Sequence, residues 1–162
     1  MIPKKPLLEG KKILIVDDEP DIIETLEQLL SICKIAKAST FEEAKEKLES
    51  QFFDLAILDI MGVYGYDLLR IAKDRNVIAV MLTAQAPGAE YIAKSFMEGA
   101  AFHVPKEEMH NIAIFLNDIL EAKEKGESFW SRWVKRLGPY YDRKLGSDWK
   151  DKHKEIWRKI QY

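Results

Sequence analysis

Cysteine occurs once in this 162-residue chain, at position 33, so no intramolecular disulfide can form. Histidine is scarce as well. His103, His110 and His153 lie far apart with no further cysteine beside them, which leaves no zinc-ligand spacing. No apolar run reaches the roughly 18 residues of a membrane span, and Met1 to Lys12 lacks the apolar centre of a secretion signal. Internal repeats and low-complexity stretches are also missing. These absences describe a soluble cytoplasmic chain that holds itself together by burial alone. Its length suits one domain with a sizeable core plus an appendage, and is too short for a second full domain.

The net charge of −2 conceals a division of the chain. Residues 1–125 carry 15 Lys and Arg against 22 Asp and Glu, whereas residues 126–162 carry 10 against 5. The first part is thus net −7 and the second net +5, the signature of two segments with different roles.

What is abundant is a regular alternation. Ile13 to Val16, Phe53 to Leu58, Val77 to Leu82 and Ala100 to Val104 are short, nearly continuous apolar runs, as expected of strands buried on both faces. Ile35 to Ala38 is a weaker fifth. Between them the period turns helical. Pro20 suits a first helical turn, and Ile22, Ile23, Leu26, Leu29 and Leu30 follow on one stripe. Thr40 and Glu43 form a capping box ahead of Ala44 and Leu48. Helices are expected again over Leu68 to Lys73, Glu90 to Met97 and Glu107 to Lys123. Five βα units in strict alternation predict an α/β fold: a doubly wound, five-stranded parallel sheet with helices on both faces.

The chemistry sits where the strands end. The first runs into Asp17, Asp18 and Glu19, the third into Asp59, the fourth into Thr83, and the fifth reaches Lys106 just past Pro105. In a parallel sheet all these carboxyl ends share one edge, the edge at which such folds bind ligands. Two carboxylates about 4 Å apart repel by about 4 kcal/mol at an effective dielectric near 20, so Asp17, Asp18 and Asp59 together call for a cation. Oxygen-only ligands select a hard ion, and Mg²⁺ is the one that combines one or two carboxylates with phosphate oxygens. A carboxylate nucleophile (Asp59), a metal, a hydroxyl (Thr83) and an ammonium (Lys106) make up the set needed to form and hold an aspartyl phosphate.

The blocks Lys12-Ile-Leu-Ile-Val-Asp-Asp-Glu-Pro20, Asp54-Leu-Ala-Ile-Leu-Asp59, Met81-Leu-Thr-Ala84 and Gly99-Ala-Ala-Phe-His-Val-Pro-Lys106 resemble the four signature blocks of CheY-like response-regulator receiver domains. The likeness covers about Lys11 to Lys123 and implies a flavodoxin-like (βα)5 fold. By that resemblance Asp59 is the phosphoacceptor, phosphorylated by a sensor histidine kinase. Asp17 and Asp18 are the acidic pair, Met61 lends a backbone carbonyl to Mg²⁺, Thr83 is the switch hydroxyl and Lys106 the site lysine. Such a domain signals, its only catalysis being its own phosphorylation and dephosphorylation. It would present a surface of its fourth helix, fifth strand and fifth helix to a downstream partner or a second copy. Three departures stand out. The loop after Asp59 is about two residues short and lacks its proline, Pro105 precedes Lys106, and His103 with Phe102 stands where an aromatic switch residue is usual. An imidazole there can titrate near neutral pH, although a partly buried packing histidine is the favoured reading. The first two departures motivate an alternative, a receiver-like scaffold that takes no phosphate.

The expected units are an N-terminal extension (1–10), the receiver (11–125) and a basic, Trp-rich helical extension (126–162). That last stretch holds 8 of the 17 aromatics, including all four Trp. So short a segment cannot bury eight rings in a core of its own and must dock on the receiver, dimerise or meet a partner. Ser128 to Leu137 is expected as one helix stopped by Gly138-Pro139, and Ser147 to Ile160 as a second. Basic residues among aromatics also fit nucleic acid, but without a helix-turn-helix or zinc-finger signature that partner is disfavoured against a docked helix.

Overall fold

The computed structural model describes residues 6–59, 64–84, 88–151 and Arg158. Its strands are β1 (Lys12–Val16), β2 (Lys34–Ala38), β3 (Leu55–Asp59), β4 (Ile78–Thr83) and β5 (Phe102–Pro105). They form one parallel sheet in the order β2-β1-β3-β4-β5. The helices are α1 (Pro20–Leu29), α2 (Phe41–Ser50), α3 (Gly65–Asp74), α4 (Ala89–Met97), α5 (Ile112–Lys125) and α6 (Phe129–Leu145). The expected flavodoxin-like alternation is what forms.

The apolar runs work because side chains alternate across a strand. Ile13, Ile15, Leu55, Ile57, Phe102 and Val104 face one side, where Leu26 of α1 and Phe115, Leu116 and Ile119 of α5 close the core. Leu14, Val16, Ala56, Leu58 and Met81 face the other, against Ala44 and Leu48 of α2 and Leu68, Leu69 and Ala72 of α3. All five residues of β3 are buried, which is why its sequence is continuously apolar until Asp59.

The ends of the elements are set locally. Pro20 opens α1, where a missing N–H costs nothing. Thr40 caps α2 by accepting the Glu43 N–H at 3.2 Å, while the Glu43 carboxylate accepts the Ser39 N–H. Two helical expectations need correction. The stretch from Lys106 to Asn111 is a 3₁₀ helix with no fully buried residue, only Met109 packing partly against the core, and α geometry begins where Ile112 enters it. And α6 does not stop at Gly138-Pro139 but runs through it to Leu145. Pro139 removes one intrahelical N–H, but the residue before it has no Cβ to clash with the proline ring. Burial of Leu137, Tyr140 and Tyr141 on the far side then outweighs the break signal. The second tail helix expected over 147–160 lies for the most part outside the described residues.

A tight reversal joins α5 to α6. Gly126 takes a left-handed conformation (φ 67°), and the Glu127 N–H returns to the Ala122 carbonyl at 2.8 Å, a Schellman closure. Ser128 then caps α6 by accepting the Ser131 N–H.

Candidate functional site

The strand ends bring Asp17, Asp59 and Lys106 together. Asp17 and Asp59 are almost fully buried, Asp18 and Glu19 exposed. The Lys106 ammonium lies 3.1 Å from Asp17 Oδ2, 3.1 Å from Glu19 Oε1 and 3.6 Å from Asp59 Oδ1, so it bridges three acids from two strands. Asp17 Oδ1 accepts the Glu19 N–H at 2.9 Å, which fixes the turn that swings Glu19 back over the lysine. Thr83 is buried at the tip of β4, opposite Pro105 and one position beyond the partner of Asp59. Met61 lies outside the described residues.

The electrostatics follow from this crowding. Burial pushes the Asp17 carboxyl up from the usual carboxylate range, and Asp59 adds to it; the Glu19 N–H and Lys106 pull it back in part. For Lys106 burial acts downward, but the bonds to Asp17 and Glu19 and the charge of Asp59 outweigh it and raise the ammonium. Lys106 is thus firmly protonated and acts as the internal counter-charge. Asp17, Asp18 and Glu19 can each offer a carboxylate oxygen within 4.8 Å of the others, a hard, all-oxygen donor set that fits Mg²⁺. The strand-end reading named Glu19 but gave it no role, and the structure makes it a partner of Lys106. Its signal was the unbroken acid run at 17–19 directly after a buried strand.

His103 and Phe102 lie away from this edge. Phe102 packs towards α5, its ring 6.3 Å from that of Phe115. His103 points to the opposite face and is completely buried. Its Nδ1 meets the Ser95 hydroxyl of α4 at 3.1 Å, and its Nε2 has no partner among the described residues. Burial pulls its pKa down to about 3, so His103 is the packing histidine that was favoured, buried even more fully than expected, and the alternative of a titratable switch does not hold in the folded chain.

What buries His103 is α6. The Trp133 indole donates to the His103 carbonyl at 2.7 Å, and the Tyr141 ring sits 6.2 Å from the imidazole. Phe96 of α4 meets the rings of Trp130 and Trp133 edge-on at 5.3 and 5.0 Å, and Trp149 closes on Trp133 and Tyr141. On the α5 side, buried Asp118 accepts from Arg136 and Arg132, and Glu107 takes the Tyr140 hydroxyl and pairs with Lys144. The surface of α4, β5 and α5 that was expected to receive a partner or a second copy is therefore occupied by the chain's own tail. Of the three fates open to the aromatic-rich extension, docking is the one that the described residues show. Among the described residues, Trp130, Trp133, Tyr140, Tyr141 and Trp149 are buried and offer no open faces for stacking on bases.

A flavodoxin-like sheet whose switch-point edge gathers acids around a lysine defines a class of small signalling α/β domains. Residues 13–114 match the response regulator receiver domain family, and the chain belongs to it. The two-component response regulator ARR18 of Arabidopsis thaliana is 31% identical over 113 residues, covering 64% of this chain and 18% of that protein. The probable transcriptional regulator ycf27 of Guillardia theta is 42% identical over 91 residues, covering 52% of this chain and 36% of its own length. The chain thus spans little more than a third, or less, of these curated relatives. Among solved structures, a CheY-like receiver domain protein from Methanospirillum hungatei JF-1 superposes with a TM-score of 0.66 at 30% identity, over 73% of this chain and 99% of that one. The receiver family is a family of signalling domains of two-component systems. No helix among the described residues is long and apolar enough to cross a membrane.

Proposed function

We propose that this chain is a cytoplasmic response regulator that accepts a phosphoryl group on Asp59 from the phosphohistidine of a sensor histidine kinase. The observation that carries this reading is the Lys106 ammonium 3.6 Å from Asp59 Oδ1, anchored at the same time by Asp17 and Glu19. An Asp59 oxygen attacks phosphorus, an O–P bond forms as the P–N bond breaks, and the electron pair leaves on the donor imidazole. The developing charge on the phosphoryl oxygens falls to Lys106, already charged and already aimed, and to the Thr83 hydroxyl at the neighbouring strand tip. Asp17, Asp18 and Asp59, with the Met61 carbonyl, would hold Mg²⁺. When bound, the ion neutralises phosphoryl oxygens that would otherwise meet an acid-rich pocket. In this reading residues 11–125 are the receiver unit, residues 1–10 and 126–162 are extensions, and the same site slowly hydrolyses its own aspartyl phosphate.

Incubation with phosphoramidate and Mg²⁺, followed by intact mass, tests the proposal. A gain of about 80 Da by the native chain and none by Asp59→Asn is expected. No gain at millimolar donor overturns it in favour of the scaffold that takes no phosphate.

A further inference from the structure

The five residues from His103 to Glu107 serve two neighbourhoods at once. Lys106 sends its ammonium into the acid cluster beside Asp59. One residue on, Glu107 holds Tyr140 and Lys144 of α6. Three residues back, the His103 carbonyl takes the Trp133 indole, and one strand position from Lys106, Pro105 pairs with Thr83. No residue of β5 can shift with Lys106 or Thr83 without moving part of the seat on which α6 rests. That seat is also incompletely satisfied, since His103 Nε2 and the Tyr141 hydroxyl are buried with no hydrogen-bond partner among the described residues. An undocked α6 would release both to water.

We infer that α6 is a phosphorylation-gated cover on the α4–β5–α5 surface, seated while Asp59 is bare and released when Asp59 carries a phosphoryl group. The inference rests on the phosphorylation reading above and adds its output. A phosphoryl group on Asp59 draws Lys106 and Thr83 towards its oxygens. The strip from His103 to Glu107 follows, the Trp133 and Tyr140 anchors lose register, and the surface opens. Because the two events are linked, the relation is reciprocal: release of α6 favours the phosphorylated state by the factor by which phosphorylation favours release, and weakening the seat shifts the balance the same way by at most that factor.

Hydrogen exchange of the full-length chain tests this, read with intact mass and Trp emission, with and without phosphoramidate and Mg²⁺. Phosphorylation should speed exchange of the amides of 129–145 about tenfold and red-shift Trp emission, with neither change in Asp59→Asn. Tyr140→Phe keeps the ring and removes one anchor, so the fraction phosphorylated at subsaturating donor should rise. Trp133→Phe, which loses the bond to the His103 carbonyl, should act in the same direction. A full mass gain with α6 exchange and emission unchanged overturns the gate and leaves the phosphorylation reading intact. No mass gain removes both.

Discussion

The sheet has two edge strands, and they are protected in opposite ways. β2 is half exposed and carries Lys34 and Lys37, the latter 3.4 Å from Glu27 of α1. β5 is Phe-His-Val-Pro, buried at every position, and at least one outward carbonyl is closed by the Trp133 indole of α6. Open backbone groups on an edge are a liability that charge or a cover can blunt. Charge protects β2 whatever the rest of the chain does. A cover protects β5 only while it stays in place, so β5 is the edge whose accessibility can be regulated.

The largest expected difference between the edges comes from removing the cover's central ring. Trp133→Ala empties a fully buried site and deletes the bond to the His103 carbonyl, and should cost about 3–5 kcal/mol in a urea melt. A loss below about 1 kcal/mol would mean that α6 contributes little to the β5 edge, and the contrast would fail.

Acid should sharpen the contrast by a smaller amount. His103 is held at a pKa of about 3 against an ordinary 6.5, so the unfolded chain takes up a proton before the folded one. Stability from this residue is complete above about pH 6.5 and falls as pH drops towards 3, by about 1.4 kcal/mol per unit. At pH 5 about 2 kcal/mol should be gone. Ser95, Tyr141 and Trp133, which surround the ring, supply no compensating charge. His103→Phe should flatten this part of the pH dependence. Asp17, raised by burial, titrates in both proteins, so their difference isolates the imidazole. Parallel pH curves for the two proteins would refute the assignment.

At the bottom of the scale lies the β2 edge. Lys37→Ala breaks an exposed pair and should change stability by less than about 0.5 kcal/mol, less still in high salt. A loss rivalling that of Trp133→Ala would erase the distinction drawn between the edges.

The strand ends were readable because each buried run stops at or within two residues of a polar side chain, and a parallel sheet must gather such ends at one edge. Thr40 and Glu43 were readable because capping is decided within four residues. Gly138-Pro139 misled for the complementary reason: a local break signal yields when distant residues, here Phe96, Glu107 and Asp118, hold the helix on both sides of it. The seat of the tail was hidden because the contacts described above span about 14 to 38 residues of sequence. One clue was present, since a strand reading Phe-His-Val-Pro at a sheet's edge has no charge of its own to protect it, and something must lie over it.

The turn at Gly126-Glu127-Ser128 has a further bearing on anything that would take the place of α6. A helix tethered by so few residues never diffuses away, and short tethers keep a released segment at an effective concentration of the order of millimolar. A competing helix from another molecule must outbid that local excess before it occupies the surface. Weak encounters would be rejected, so the three-residue turn would set the affinity threshold for any helix that competes for this surface.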